Sequence, residues 1–450
     1  MSGTSSISGL VSGLDTSSII SQLMQLEAQP QALLKQKVST EQGAVTAYQA
    51  VNTKMSALQI LAETLTKDTT WQAAAATSSS TSVVATASAG APNGQYTFDV
   101  TKLAAAQVST IALPASGVTS DGNVYISING AAPTAVPVTT DTPQGVANAI
   151  NANSSLGIRA TIINSDQGAV LQLVSTKTGS ANAFAVTGVS GTQVDRVSAS
   201  DAQLTVGTVG SGGYTVTSPT NTFSNFIPNV TLTATGLATG VTVTVNSDAS
   251  GLADKIGTLV DAANAALSEI SNQTAYTPAN QGTGSAAAAG PLLGDLTVQD
   301  LGMNLLSAVA NGDSTYGSFS QLGLQTQQDG TLVFDKSAFI AAYQANPSKV
   351  QAAVENGLAT TLNNLAKGAT DIVAGTLTTA IQGRTSEIKQ LNAQIDDWTT
   401  RLADRQNTLQ QQFTAMEVSL GQLKNQSSWL SSQIASLPTT SSASSAVLGG

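Results

Sequence analysis

The sequence predicts an α+β multidomain chain, with terminal α-helical coiled-coil legs, a mainly helical stem domain and two nested β-rich head domains. Three observations carry that reading. Apolar residues recur every seven positions near the C-terminus. Helical spacing of the same kind appears near the N-terminus, and the stretch 71–250 is Thr- and Val-rich with only eleven charged residues.

The C-terminal pattern organises the chain. Ile388, Ile395, Leu402, Leu409, Met416, Leu423, Leu430 and Leu437 keep a strict seven-residue period. A second row runs beside it at Leu391 and Trp398, then Phe413, Leu420 and Ile434. That is a coiled-coil seam whose partner stripe drifts, because 3.6 residues per turn do not divide seven. No proline or glycine interrupts 384–420, so nothing local stops the helix before Gly421. At ~1.5 Å per residue the segment 381–437 would reach roughly 85 Å, too long to lie inside one globule. It asks for a helical partner.

Composition narrows what the chain can do. Charged residues are 10% of 450, against a usual ~25%, so solubility rests on hydroxyls and amides. Net charge is −10 with Lys+Arg at 17 and no basic cluster, which argues against nucleic acid or anionic membrane as partners. Cys and His are both absent. Disulfides, thiolate nucleophiles, Cys/His zinc sites and histidine triads are thereby excluded. The opening MSGTSSISGLVSGLDTSS lacks the basic n-region and apolar core of a secretory signal, and no 18-residue apolar run predicts membrane insertion.

In chain order, Asp15 or Thr16 can N-cap a helix carrying Ile19, Ile20, Leu23, Met24 and Leu26, which Pro30 ends or kinks. Gly3, Gly9 and Gly13 before it predict a mobile terminus ordered by a partner. Val45, Tyr48, Val51, Met55, Leu58, Ala62 and Leu65 then form a second heptad face. If the two ends pair, everything between them is a large insertion.

Past Trp71 the signals are those of strands. Val83 to Ala87 and Tyr96 to Val100 read as a hairpin across Asn93-Gly94, and Val124, Ile126 and Ile128 lead to a second turn at Asn129-Gly130. Thr142 as N-cap and Pro143 at the first helical position start one short helix, with Gly157 beyond its end. Strands resume at 158–163 and 169–174, and again at 214–216, 230–234 and 241–245. Helical spacing returns at Leu252, Ile256, Leu259, Ala263, Leu267 and Ile270. A Leu-rich helix at 297–309, a hairpin from Leu322 to Phe334 and short helices at 338–344 and 347–355 complete a helical domain. The tail 438–450 has no core-forming pattern and is expected to be disordered.

No catalytic, cofactor or metal constellation emerges. Gly207, Gly210, Gly212 and Gly213 lack a following Lys-Ser/Thr and lie between strands, so a hairpin loop outweighs a phosphate cradle. Asp396 and Asp397 are neighbours on a helix and point about 100° apart, which suits a solvated face and not a shared proton. Asp121, Asp166 and Asp329 sit at turns, where Asp serves its own backbone, and no calcium-loop spacing supports them. Trp398 is read as packing on the seam.

The segment SISGLVSGLDTSSIISQLMQLEAQP closely resembles the opening signature of the bacterial flagellar filament-capping (hook-associated protein 2) family. Similarity continues through TWQAAAATSSSTSVVATASAGAPNGQYTFDVTKLAAAQ and the flagellin-type "IN" region ISINGAAPTAVPVTTDTPQGVANAIN. It extends through TSPTNTFSNFIPNVTLTATG, PLLGDLTVQDL, QDGTLVFDKSAFIAAYQANPSKV and FTAMEVSLGQLKNQSSWLSSQIASL. The shared order of these blocks is what makes the resemblance specific. One departure is Asn229, where the family commonly has glycine; Asn is the next most tolerant residue in a left-handed turn, so the turn is expected to survive.

The resemblance implies a secreted homo-oligomer, a pentamer or hexamer, seated at the distal tip of the flagellar filament. It implies flagellin as the protein folded and inserted beneath it, hook-filament junction proteins as neighbours, and a cytoplasmic export chaperone at the C-terminal segment. The domain layout it suggests is a leg helix at 1–42 and a stem helix at 43–72. A β head is split into 73–107 and 200–250 around an inserted head at 108–199. A helical stem at 251–380, a coiled-coil leg at 381–437 and the tail 438–450 complete it. Axial attachment is assigned to Leu10, Leu14, Ile19, Leu23 and Leu26 with Leu409, Met416, Leu423 and Leu430. The coiled-coil seam is assigned to Val45, Tyr48, Val51, Met55, Leu58 and Leu65 with Ile388, Leu391, Ile395, Trp398 and Leu402. Short, apolar, weakly charged terminal helices are expected to slide between unequal sites more cheaply than residues locked in specific ion pairs. Alternatives are a junction or filament subunit, and an adhesin binding host mucin or other glycans through the β heads.

Overall fold

The computed structural model describes residues 12–278, 287–314 and 316–436. Leu10, Gly3, Gly9, Leu437 and the tail 438–450 therefore lie outside the described residues. At the N-terminal end, Asp15 caps α1 (Thr16–Glu27) by accepting from the Ser18 amide at 3.0 Å. Pro30 falls in the first turn of the next helix, α2 (Gln29–Leu65), where its missing amide costs nothing. A four-residue turn, α3 (Asp68–Trp71), closes the segment, and its buried Trp71 donates from Nε1 to the Leu65 carbonyl at 2.9 Å.

The β region folds around two separate buried clusters. In the first, a five-stranded antiparallel sheet runs in the order Ala74–Ser78, Ala238–Ser247, Gly94–Lys102, Ala202–Val206, Tyr214–Ser218. A three-stranded sheet, Thr222–Ile227, Val230–Ala234, Val83–Ala87, shares its core, with Phe98, Val100, Leu204, Phe223, Leu232 and Val243 buried. The hairpin expected from Val83 to Val100 is not formed. Val83–Ala87 pairs with Val230–Ala234, whereas Gly94–Lys102 pairs with Ala238–Ser247 and Ala202–Val206. Asn93-Gly94 is a connection between sheets, because alternation shows which face of a strand is buried but not which strand lies beside it.

The second cluster lies inside the first in chain order. Val194–Val197, Val108–Leu113, Gly168–Ser175 and Ile158–Ser165 make one sheet, and Thr134–Pro137, Asn123–Ile128 and Phe184–Thr187 another. α4 (Pro143–Ala152) packs on them with Val146, Ala147 and Ile150 buried, its Thr142 hydroxyl accepting from the Gly145 amide at 3.1 Å. At the Asn129-Gly130 turn both residues have positive φ, 48° and 72°, as the sequence predicts.

The helical core then closes. α5 (Ala249–Thr274), α6 (Leu296–Ala310), α7 (Lys336–Ala345), α8 (Pro347–Ala352) and α9 (Thr360–Thr370) enclose the C-terminal half of α2, with the hairpin Leu324–Thr326/Leu332–Phe334. The helix begun at Pro347 does not end at residue 355 as expected. A π-helical stretch, Ala353–Ala359, carries it into α9, and Gly357 lets that stretch lie close to Asp313. Finally α10 (Thr376–Ala435) runs for 60 residues, roughly 90 Å, straight through both Gly383 and Gly421. Neither the 42/43 limit nor the 380/381 limit coincides with a break in a helix.

Candidate axial attachment site

The two ends of the chain pair antiparallel, and hydrogen bonds define the register. Glu41 meets Arg384 at 2.7 Å, Lys37 meets Glu387 at 2.8 Å, and Glu27 meets Arg405 at 3.0 Å. Between them the Gln31 amide donates to Thr399 Oγ1 at 2.7 Å and to the Ile395 carbonyl at 3.3 Å. At the far end the Ser12 amide donates to Glu417 Oε2 at 3.2 Å. Each step toward the N-terminus on α1 and α2 is thus a step toward the C-terminus on α10.

These ion pairs tie the chain's own two ends to each other. The exposed pairs contribute little each. Glu41 differs, because its side chain is only 8% exposed, and removing Arg384 would leave a buried carboxylate without its ion-pair partner. Their shared hydrogen bond, then their mutual attraction, raises the Lys37 ammonium above its usual range and lowers the Glu387 carboxyl below its own. Tyr48 donates to Asp295, the N-cap of α6. Burial, then the bond to Asp295, pushes the Tyr48 phenol up to about 12. Part of this network is legible in the sequence: in so charge-poor a chain, Lys37/Glu387 and Glu41/Arg384 lie at nearly the same antiparallel offset, whereas Glu27/Arg405, across the break between α1 and α2, departs from it.

The predicted seam residues separate into two environments. Val51, Met55, Leu58 and Leu65 are buried, but in the helical core against α5 and α9, so that face is a domain core and not a coiled-coil seam. Tyr48 is buried where the two meet, whereas Val45 is only half-buried and Ala44 and Ala47 take its place. On α10, Leu391 is buried and Ile388, Ile395, Trp398 and Leu402 are half-buried along the leg. The ring of Trp398 packs under the Arg401 guanidinium at 4.3 Å, in a shallow groove shared with Glu27, Leu402 and Arg405.

The predicted axial residues divide by exposure. Leu409 is buried beside the stretch of α10 covered by α1, and Met416 and Ile19 are half-buried. Leu14, Leu23 and Leu26 face solvent. Beyond Glu417, α10 continues with Leu423 and Leu430 at 59% and 55% exposure, together with Val418, Trp429 and Ile434. Lys424 is the only charge between 418 and 436. This end of the helix displays apolar side chains to solvent at helical spacing, with nothing in the chemistry of bond making.

Elsewhere the polar groups serve the fold. Asp195 Oδ1 accepts from Ser109, Gln193 and Gln107 at 2.7, 2.8 and 3.1 Å, and these bonds lower its carboxyl. Asp121 and Asp329 bond Asn123 and Thr331 at their own turns, as the sequence predicts. Asp396 and Asp397 are exposed, and residues 207–213 form a hairpin loop between paired strands. Among the described residues no cluster of three or more His, Cys, Asp or Glu could hold a metal ion, and no helix is long and apolar enough to cross a membrane.

Comparison with known proteins places this architecture. Family models for the N-terminus and the C-terminus of flagellar hook-associated protein 2 match residues 12–107 and 199–425. The A-type flagellar hook-associated protein 2 of Pseudomonas aeruginosa is 29% identical, over 97% of this chain and 99% of its own length. Flagellar hook-associated protein 2 of Escherichia coli K12 is 28% identical, over 94% and 97%. The crystal structure of the D1-D2-D3 domains of the flagellar cap protein FliD from Escherichia coli superposes with a TM-score of 0.55 at 27% identity, covering 75% of this chain and 99% of that one. Matched over both its outer segments and built on the same plan, the chain belongs to the flagellar hook-associated protein 2 family.

Proposed function

We propose that the chain works as a flagellar filament cap: a ring of its copies, five or six, sits at the distal tip of the extracellular filament and directs arriving flagellin subunits to fold and insert beneath it. The observation that carries this reading is the end of α10, which no other described element covers, with Leu423, Trp429, Leu430 and Ile434 exposed and a single charge nearby. Burying such a leucine contributes ~1.5–3 kcal/mol, and among the described residues nothing covers it. Axial attachment is assigned to the exposed Leu14, Leu23, Leu26, Leu423 and Leu430, steadied by Ile19, Leu409 and Met416. Such a device needs positioning and exclusion, not catalysis, and closes when the rotation between neighbours closes.

The remaining partners follow from the same reading. Hook-filament junction proteins seat the first ring, and an export chaperone covers the C-terminal segment before secretion. We also infer that domain limits fall at 72/73, 107/108, 199/200 and 250/251, supported by three separate buried clusters. The test is electron microscopy of filament tips from cells lacking this chain, with and without its restoration. Caps absent on deletion and regained on restoration, with flagellin shed as monomer in between, are the expected result. Normal capped filaments in the deletion strain would overturn the reading.

A further inference from the structure

Phe184–Thr187 is the outer strand of its three-stranded sheet, paired on one side only, with Asn123–Ile128. On that side the Asn129 amide bonds the Ala183 carbonyl at 2.7 Å, so by the alternation of an antiparallel ladder the backbone groups of Phe184 and Val186 turn the other way. Two side chains meet them there. Gln107 treats Phe184 as the opposite residue of a strand would: its Oε1 accepts from the Phe184 amide and its Nε2 donates to the Phe184 carbonyl, both at 2.8 Å. Gln193 Oε1 accepts from the Val186 amide at 2.7 Å, and its Nε2 donates to the same Phe184 carbonyl at 3.1 Å. Phe184 and Val186 are both buried, where an unmade backbone bond is costly.

Neither glutamine belongs to that sheet. Gln107 directly precedes Val108–Leu113 and Gln193 directly precedes Val194–Val197, which are paired neighbours in the four-stranded sheet across the same buried cluster. A glutamine amide is nearly symmetric in shape but not in chemistry, and turned over it would set an NH₂ group against a backbone N–H. Asp195 decides which way both lie. An ionised carboxylate can only accept, and its Oδ1 takes bonds from Gln193 Nε2 at 2.8 Å and Gln107 Nε2 at 3.1 Å. Both Nε2 groups are thereby drawn toward Asp195, and both Oε1 atoms are left facing the strand. The same Oδ1 accepts from the hydroxyl of Ser109 at 2.7 Å, its opposite number in the ladder and itself fully buried. Without the carboxylate that hydroxyl is free to donate to a glutamine oxygen and draw it off the strand.

We propose that Gln107 and Gln193 stand in for a missing strand on the outer edge of Phe184–Thr187, tying the two sheets into one unit, and that Asp195 is the positioning residue that aims both amides. The carboxylate of Asp195 bonds the two glutamines and Ser109 and not the strand, so its influence on Phe184 and Val186 passes through the glutamines. This role does not rest on the cap reading.

Hydrogen exchange of the full chain, resolved to single amides by electron-transfer fragmentation, reads each of these bonds separately. Gln107→Leu is expected to speed exchange at Phe184 and Gln193→Leu at Val186, each by roughly threefold to tenfold, as loss of one neutral hydrogen bond implies. Asp195→Leu is expected to speed both, and Asp195→Asn, which keeps an accepting oxygen, to speed them less. Leu171 and Leu173, in the four-stranded sheet, stay within about twofold of the parent in every variant, because the opening is local. Unchanged exchange at Phe184 and Val186 in the glutamine variants, or acceleration shared equally by Leu171 and Leu173, overturns the stand-in strand. Unchanged exchange at both amides in Asp195→Leu overturns its positioning role. Should Gln107→Leu not fold, since the parent side chain is buried, Gln193→Leu at its half-buried position is read by the same criteria.

Discussion

Ser12 and Glu417, 405 positions apart, are joined by a hydrogen bond from the Ser12 amide at 3.2 Å and by a second from its hydroxyl. Glu417 is 9% exposed, so this is a buried carboxylate that fastens the start of α1 to α10. Hydrogen bonds to charged groups contribute about 1.5–3 kcal/mol, or roughly tenfold and more in local opening. Glu417→Ala is expected to speed amide exchange throughout α1 by at least that factor while leaving the core amides of Val51 to Leu65 unchanged. Hydrogen exchange with mass spectrometry reads both. Unchanged exchange in α1 would remove the fastening role.

Leu409 and Leu423 occupy the same heptad row but are 7% and 59% exposed. Leu409→Ala is expected to loosen the leg pair by ~2–5 kcal/mol, the range for a buried leucine. Leu423→Ala is expected to alter the isolated chain by no more than ~0.5 kcal/mol. At the filament tip the order changes, and Leu423→Ala lowers cap occupancy although the free protein is as stable as before. Denaturation of the free chain, set beside tip occupancy by microscopy, checks this. Equal occupancy for Leu423→Ala and the parent would contradict the attachment assigned to that residue.

Helices were more legible in the sequence than sheets, for a physical reason. Helical hydrogen bonds are local, so Asp15, Thr142 and Pro143 announced their helix starts from a few residues. Strand partners are not local. Val83 and Phe98 share one core yet belong to different sheets, and no pattern within either segment records that. Strands such as Val108–Leu113 and Ala202–Val206 were missed because Ser, Thr and Ala dilute their alternation. The heptad face of α2 was found but misassigned, since a three-to-four spacing fits a domain core as well as a coiled coil. Asn229, by contrast, was read correctly: its φ is 60°, and its carbonyl accepts from the Ser88 amide at 2.8 Å.

Tyr48 gives the junction of the leg pair and the helical core an alkaline signature. Its phenol is raised to about 12, first by burial and then by the bond to Asp295, whereas in the unfolded chain it ionises near 10. A group raised in the folded state favours folding fully below its unfolded value, and that contribution is lost as pH rises from about 10 to about 12. Stability should therefore fall with pH across this window. Tyr48→Phe is less stable at neutral pH because Asp295 loses a partner, but shows a shallower decline. Denaturation midpoints of both proteins at pH 9 to 12 check it, and parallel curves would deny Tyr48 this role.

Trp429 offers the most direct view of the free end of α10. The three tryptophans occupy three environments: Trp71 buried in the helical core, Trp398 half-buried under Arg401, and Trp429 63% exposed. With Trp71→Phe and Trp398→Phe, emission comes from Trp429 alone. In the free chain it is expected to be red-shifted and strongly quenched by acrylamide, as an exposed indole is. Seating on filament ends transfers it to an apolar contact, where a large aromatic ring contributes more binding than its neighbours. Emission should then move to the blue and quenching fall several-fold, and Trp429→Ala should weaken seating without changing the unfolding midpoint of the free protein. If quenching stays the same on filaments that carry the cap, the end of α10 remains in solvent after assembly, and attachment must run through the N-terminal leucines instead.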